Sequence, residues 1–494
     1  MKSGVARDSA IEAIQAERFD LLVIGAGIIG SRVALEAAAT GRRVALVDAG
    51  DFGGATSSAS SKLIHGGLRY LQMGDLRLVR EAHVERRALL ERVAPHLVHP
   101  LQFVVPVYAG GPHPRALIAA GLLTYSALSG FRHSKARMVS PAGGRELVPS
   151  LRLENLRACG VYVDAQTNDT RLVLATVTAA ARAGAVVLNH AAVGALEFGP
   201  NGVTATLEGG FEVRSRQVVN AAGPWVDSVR RLEDSAVRPL ARLSKGVHLL
   251  LPAEPGWKAA LTVPLADGRV AFALPWEGML MLGTTDTAFE GDPRDLEVTA
   301  EDEATVFAEA AAGLPADLLR PERVVYRFAG LRVLPGGTGN TSDATREHLV
   351  SRGRLGMVSV AGGKLTTHRR IALDVLRRVE GYRGLRQCED PLPGAGPPAP
   401  QPLGVDESTW QHLVHFYGSE AGRVLAYRGS VDNALDRIHP EGPDIWAQVH
   451  HAIDAEWAVT VSDVVRRRTN LEIQGHATEE VRARIAEVLE KRRG

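Results

Sequence analysis

Phe19-Asp-Leu-Leu-Val-Ile-Gly25-Ala-Gly27-Ile-Ile-Gly30 is the stretch that decides the architecture. The apolar run entering Gly25 is continuous rather than alternating, as in a parallel strand buried on both faces. Ile28 to Ala39 then reads as a helix, ended by Gly41, and Arg43-Val-Ala-Leu-Val-Asp48 reads as a second strand. Together they make a βαβ unit. Gly25, Gly27 and Gly30 fall in GxGxxG spacing at the strand-to-helix junction, and Asp48 closes the next strand. Gly25 permits the tight turn, Gly27 lets backbone approach a pyrophosphate, and Gly30 lets helix and strand pack closely. The helix N-terminus offers N–H groups and a positive dipole end to the phosphates. Asp48 is placed to accept hydrogen bonds from an adenosine ribose. This context predicts a dinucleotide site.

Working outward, Asp51 to Ser61 is a small-residue loop holding Thr56, Ser57, Ser58 and Ser61, and it runs into Lys62-Leu-Ile-His65-Gly66-Gly-Leu-Arg69-Tyr70. Helices are predicted over 76–93 and 169–184, and a strand over 185–189. A strand over 217–220 leads into Ala221-Ala222-Gly223-Pro-Trp225. The region 246–283 is rich in strand signals, and the last apolar strand, 357–360, ends in Ala361-Gly362-Gly363-Lys364-Leu365-Thr366. A helix follows to about Val379. Three glycine-bearing strand ends, far apart in the chain, suggest one long ligand held from several sides. That favours a buried FAD over an exchanging nicotinamide. Pro391 to Pro402 reads as a linker, and the chain beyond it as almost wholly helical.

The 494 residues suggest roughly three domain-sized units. With 45% apolar and 23% charged residues, the composition is that of an ordinary globular protein. The 57 basic and 56 acidic residues leave a formal charge of +1, which excludes nucleic acid as a main partner. Only 7 of the basic residues are lysine, against 50 arginines. Cys159 and Cys388 stand far apart, so neither a disulfide framework nor a thiolate metal site is expected, and a reducing compartment follows. No HExxH, CxxC, EF-hand or GxSxG pattern occurs, so no metal and no hydrolase nucleophile are expected. Met1 to Arg18 lacks a signal-peptide core and reads as an N-terminal extension. Ala116 to Phe131 is uncharged but shorter than the ~20 residues of a membrane span. It reads as a buried helix or as a surface that dips into a membrane.

These motifs resemble the FAD-dependent glycerol-3-phosphate dehydrogenases, within the D-amino-acid-oxidase-like flavoproteins. The resemblance runs from Phe19 to about Leu471. It is carried by GxGxxG with Asp48, the long string Thr56 to Tyr70, Asp164 to Leu172, Asn220 to Trp225 and Ser244-Lys-Gly-Val-His248. Gly283 to Asp286, Ala329 to Arg332, Gly362 to Thr367 and, past the linker, Glu456 to Thr469 complete it. It implies an α/β fold with an α+β substrate part. A Rossmann-like FAD-binding domain over 19–390 would be interleaved with a β-sheet substrate domain at roughly 100–160 and 245–330. The linker 391–402 and a helical C-terminal domain, 403–494, would follow. It further implies oxidation of sn-glycerol 3-phosphate to dihydroxyacetone phosphate by hydride transfer to FAD, with electrons passed to membrane quinone. The protein would then be cytoplasmic, peripheral on the inner face of the membrane, and possible as a homodimer. Two departures, Ala59 where the family usually has arginine and Val333 where it often has proline, keep other polyol phosphates, such as erythritol phosphate, in view. An amine or amino-acid oxidase of the same fold and a non-catalytic flavin-binding sensor are further alternatives.

The expected roles follow the same resemblance. A dianionic phosphate is best gripped by guanidinium forks, with Arg69, Arg332 and Arg346 as the candidates and Tyr70 beside them. Taking up the hydroxyl proton suits His65 or His248, and Lys364 would steady developing negative charge. The expected cofactor contacts are Gly25, Gly27, Gly30, Asp48, Thr56, Ser57, Ser58, Ser61, Lys62, Gly66, Ala222, Gly223, Trp225, Gly362, Gly363, Lys364, Leu365 and Thr366.

Overall fold

A computed structural model describes residues 3–67, 75–131, 136–336, 348–382 and 384–493. Helix α1 (Ser3–Ala16) precedes strand β1 (Arg18–Ile24), which leads into α2 (Ile28–Ala38) and β2 (Val44–Val47). β1 and β2 are parallel, from Leu21 opposite Val44 to Ile24 opposite Val47. On its other side β1 pairs in parallel with Glu212–Asn220, which pairs in parallel with Val358–Gly362. Parallel strands share one polarity, so the chain leaves all three at the same sheet edge. That is why Gly25, Ala221 and Gly362, far apart in sequence, come together. Leu21, Leu22 and Val23 are fully buried, because helices cover one face of this sheet and a hairpin and helices cover the other. The continuous apolar run thus has its physical cause.

Among the described residues the second sheet has ten strands. Its strands come from two stretches, Val98–Thr167 and Ala241–Pro335, plus the two-residue strand Leu63–Ile64 that pairs with Leu156–Thr167. That short strand carries the Lys62–His65 string from the cofactor loop into the second sheet. The strand Tyr326–Pro335 lies antiparallel to Ala241–Pro252, with Arg332 opposite Ser244 and Phe328 opposite His248.

The N-terminal extension, the proline-rich linker and the uncharged stretch each pack on the body of the protein. Within the N-terminal extension, Ile14 is fully buried in the core, and an Arg7 guanidinium N–H donates to the Asn189 carbonyl at 2.8 Å. The linker 391–402 lies against the rest of the protein. Leu392 is buried, its N–H bonds the Val93 carbonyl at 2.8 Å, and a Cβ on Gly394 would lie 2.5 Å from the Tyr417 carbonyl oxygen. Proline and glycine here let an extended chain press against two surfaces. The uncharged segment forms the helix Arg115–Leu128, but it is not a buried helix. It packs through Leu122, Tyr125 and Ser126, while Leu117 is 56% exposed, Leu123 61%, and Phe131 just beyond it 52%.

The C-terminal part carries the helices Glu407–Tyr417, Ala421–Leu425, Trp446–Ala455 and Glu479–Arg493. Ser430 to Asp444 is turn and irregular chain with one isolated bridge, Arg437 to Ile445. This part is keyed to the first sheet by buried ion pairs. Arg467 and Arg468 both reach Asp51, and Arg171 reaches Glu456.

Candidate functional site

At the edge where the three parallel strands end lies a cavity of about 920 Å³. It is large for a ligand pocket, at the upper end of the usual range of about 300–1,000 Å³. Its floor is the βα turn. Gly25 sits at φ +99°, and a Cβ there would come within 2.5 Å of the Ala221 carbonyl oxygen. A Cβ on Gly30 would fall 1.8 Å from the Gly25 carbonyl oxygen, so only glycine lets α2 seat on the turn. Gly27, Ile28 and Ile29 face the cavity, and the Ile28 N–H donates to Ser57 Oγ at 3.0 Å. The Asp48 carboxylate accepts from the N–H groups of Ala26 at 2.6 Å and Gly50 at 2.9 Å. Burial outweighs those two bonds and raises its pKa from 3.8 to about 6. Its remaining lone pairs at the cavity wall are the acceptors that ribose hydroxyls require. The cradle, the helix N-terminus and the carboxylate fit a dinucleotide in their spacing and donor chemistry.

The opposite end collects the groups suited to an anionic alcohol. His65 follows Leu63–Ile64, and its backbone N–H and carbonyl clasp the Thr366 hydroxyl at 3.1 and 3.2 Å. Lys364, Leu365 and Thr366 leave the last parallel strand through Gly362 and Gly363, at φ +80° and +106°. Arg332 reaches in from the second sheet, donating to Thr284 Oγ1 at 2.8 Å and lying 3.6 Å from Asp286. A Cβ on the cross-strand Gly246 would meet that guanidinium at 2.5 Å, so this glycine makes room for it. His248 is buried, stacked on Phe328 with ring centroids 4.8 Å apart, and its Nε2 meets Ser61 Oγ at 2.9 Å. Burial, helped by Arg332 and Lys62, holds its pKa well below the usual histidine range, so the ring is neutral at physiological pH.

Most residues singled out in the sequence line this cavity: Gly25, Gly27, Asp48, Thr56, Ser57, Ser61, His65, Ala222, Gly223, Trp225, His248, Arg332 and Gly362 to Thr366. Gly30 acts from beneath, as described above. Three others lie elsewhere. Lys62 turns away, its ammonium 2.8 Å from Asp169 and 2.6 Å from the Ser58 carbonyl. Ser58 faces a smaller cavity of about 470 Å³ on the other side of the loop. Gly66 is excluded by packing, since a Cβ there would meet Tyr125 Oη at 2.5 Å. Arg69, Tyr70 and Arg346 lie outside the described residues. The hydroxyl-rich loop is largely engaged with the protein itself. Thr56 donates to the Leu331 carbonyl at 2.7 Å and Ser60 to Asp169 at 2.7 Å, which stiffens the loop.

Sequence reasoning missed the contribution of the C-terminal part. Thr460, Ser462, Asp463, Arg466 and Arg467 line the cavity, as does His190, whose Nε2 meets Asp463 Oδ2 at 3.0 Å. The available signal was the run of three consecutive arginines, Arg466 to Arg468.

A dinucleotide cradle on a parallel sheet, with a polar reaction chamber roofed by a second sheet, defines a flavoprotein oxidoreductase. Residues 20–369 match the family model described as FAD dependent oxidoreductase, and residues 360–494 the C-terminal domain of alpha-glycerophosphate oxidase. The chain is 35% identical over 496 residues to a glycerol-3-phosphate dehydrogenase of Synechocystis sp., covering 92% of this chain and 89% of that one. It is 34% identical to the mitochondrial glycerol-3-phosphate dehydrogenase of Homo sapiens, covering 95% of this chain and 70% of that one. Among solved structures, glycerol-3-phosphate dehydrogenase from Bacillus halodurans complexed with FAD superposes with a TM-score of 0.77 at 27% identity. The match covers 100% of this chain and 98% of that one. The protein belongs to the FAD-dependent glycerol-3-phosphate dehydrogenase family, and its cofactor is FAD.

Proposed function

We propose that the protein oxidises sn-glycerol 3-phosphate to dihydroxyacetone phosphate. The observation that carries this reading is the convergence of Arg332, Lys364, His65 and His248 at one end of the cavity whose other end is the dinucleotide cradle. FAD supplies the hydride acceptor. Arg332 offers a guanidinium fork to the phosphate, anchored by Thr284 and Asp286 so that it loses little freedom on binding. Arg69 and Arg346 are assigned to the same anion. His65 takes the hydroxyl proton, because it lines the cavity and its backbone is fixed there by Thr366. His248, held neutral and bonded to Ser61, is a weaker base and is assigned to positioning. Lys364 places an ammonium where negative charge develops during oxidation.

The electrons pass to a membrane quinone, with the protein peripheral on the inner face of the cytoplasmic membrane. The exposed apolar residues of Arg115–Leu128 support that placement: Leu117 and Leu123, with Phe131 following, form an unpartnered surface that suits a lipid interface. Among the described residues no helix is long and apolar enough to cross a membrane, so contact would be peripheral. The test is anaerobic mixing of the holoenzyme with polyol phosphates, free polyols and amino acids, read as loss of the oxidised flavin's visible absorbance. Glycerol 3-phosphate should bleach the flavin rapidly and amino acids should not. Absence of bleaching by glycerol 3-phosphate would sink the reading.

A further inference from the structure

We propose that Arg466, supplied by the C-terminal domain, grips the pyrophosphate of FAD, so that this domain is part of the cofactor site. Three arginines follow one another in the single wide turn Val464–Arg468. Two of them are committed to the fold. Arg468 donates to Asp51 and to the Glu456 carbonyl, and Arg467 reaches Asp51 and, at 2.8 Å, Asp463. Arg466 is different. It is exposed, it lines the large cavity, and among the described residues it makes no hydrogen bond and no ion pair.

Position narrows the ligand. Arg466 borders both cavities where they share the loop Gly54–Thr56 as a wall. The next residue, Ser57, bonds the first N–H of α2, where a dinucleotide's phosphates belong. On the other side the same C-terminal segment reaches His190 through Asp463, beside the strand end that carries Asp48. Arg466 therefore lies between the ribose acceptor and the helix N-terminus, at the level of the middle of the dinucleotide.

Charge narrows it further. A pyrophosphate carries two negative charges into a wall already bearing the Asp48 carboxylate. The other cations facing the cavity are engaged or distant. Arg294 is paired with Asp292, Arg467 with Asp51 and Asp463, Arg332 is anchored to Thr284 and Asp286 beside the reaction chamber, and Lys364 lies at that same far end, past Gly362 and Gly363. A guanidinium that makes no hydrogen bond or ion pair among the described residues is the group that an incoming phosphate can engage at no cost to an existing bond. The buried Asp51 pairs hold the turn, and so hold Arg466 in place.

The inference rests on FAD as the cofactor and not on the identity of the alcohol. Its test compares Arg466→Ala, Arg466→Gln and Arg466→Lys with Arg423→Ala, which removes an exposed charge elsewhere in the same domain. FAD release from the full-length holoenzyme is followed by flavin fluorescence, and Kd by titration of the stripped protein. Loss of a charged hydrogen-bonding partner predicts a rise in FAD Kd of about tenfold or more for Ala and Gln. Lys should recover part of the loss, and the dependence of Kd on salt should flatten in Ala and Gln. The thermal midpoint of the stripped protein should not move, because Arg466 holds nothing in the fold. Three outcomes would overturn the proposal: an FAD Kd equal to that of Arg423→Ala, a raised KM for glycerol 3-phosphate at unchanged FAD Kd, or a stripped protein that unfolds earlier.

Discussion

Asp51 is where the C-terminal domain is locked to the cofactor domain, and Asp51→Asn tests how much that lock contributes. The carboxylate is buried and takes bonds from Arg467, from both ends of the Arg468 guanidinium, one of them at 2.8 Å, and from Asn189 at 3.1 Å. Asparagine keeps the shape and the acceptor for Asn189 but removes the charge, leaving two buried guanidiniums facing a neutral amide. Removing one partner of a buried pair costs about 3–5 kcal/mol. At about 1.4 kcal/mol per decade, the population with the C-terminal domain undocked should rise by roughly two to three and a half decades. Native-state proteolysis within residues 391–402 reads that population when opening is fast relative to cleavage. Wild type and variant are compared at saturating FAD. The exposed pair Arg352–Glu380, with side chains 49% and 72% exposed, is the control, and Glu380→Gln should change stability by about 0.5 kcal/mol at most. Burial alone would raise the pKa of Asp51, but Arg468 and Arg467 more than reverse this, and its folded-state pKa lies below 3.8. A depressed carboxylate stabilises the fold above its unfolded pKa and loses that contribution as pH falls through the folded value. The gap between wild type and Asp51→Asn should therefore be constant above about pH 5 and close only in stronger acid. A variant cleaved within about threefold of Glu380→Gln would refute the view that this pair holds the domains together.

The remaining predictions concern the site itself. Gly30→Ala places a Cβ 1.8 Å from a backbone oxygen that cannot yield, so the variant should be recovered without FAD, if it folds at all, as judged by flavin content after purification. Burial raises the Asp48 pKa to about 6, and its ionised form is the better acceptor for ribose hydroxyls, so FAD affinity should fall as pH drops through about 6. Asp48→Asn should bind FAD more weakly and lose that pH dependence, both measured by fluorescence titration. Arg332→Ala should raise the KM for glycerol 3-phosphate by about tenfold or more while changing FAD Kd by less than about twofold, and an equal loss of both would place this arginine in the wrong subsite. Leu117→Glu with Leu123→Glu should abolish sedimentation with phospholipid vesicles without lowering the thermal midpoint, since both side chains are exposed.

The parts of the fold that could be read in advance are those where a local residue choice answers a local backbone need. Gly25 and Gly30 are required by contacts with atoms a few residues away or on the adjoining strand, so their spacing carries the meaning. The strand ends at Asn220 and Gly362 were visible for the same reason. The segment 115–128 shows the limit. Its apolar composition is equally compatible with burial and with an exposed interfacial face, and only packing through Leu122 and Tyr125 decides which face turns outward. The Asp51 lock lies beyond such reading, because its partners stand 416 and 417 residues away in sequence. An aspartate in a polar loop and arginines in a helical region each look like solvated charge until the tertiary fold joins them. The same holds for Arg466, which gains significance only from the commitments of its two neighbours.

The scarce lysines sharpen this point. Three of the seven fall in family motifs, yet the fold uses them in different ways. Lys245 pairs with Asp302 at 2.6 Å and Lys364 lines the reaction chamber. Lys62 is buried, sits 4.9 Å from the Trp276 ring and 5.1 Å from that of Phe328, and bonds both oxygens of Asp169 together with the Ser58 carbonyl. That geometry explains why an ammonium stands there in an arginine-rich chain. Its three donors radiate from one nitrogen and meet three acceptors converging on a small space between aromatic rings, where a planar guanidinium fork would not fit. The pair ties the loop Thr56–Ser61 to the helix Asp169–Arg182, so Lys62 serves the cofactor by holding its loop rather than by touching it. Lys62→Arg should therefore weaken FAD retention and loosen this loop together, while Lys364→Arg should leave retention intact and slow flavin reduction. Hydrogen exchange over residues 56–61, measured alongside FAD release, separates the two roles. A Lys62→Arg protein that releases FAD faster with no added exchange in the loop would show that the ammonium acts on the cofactor directly.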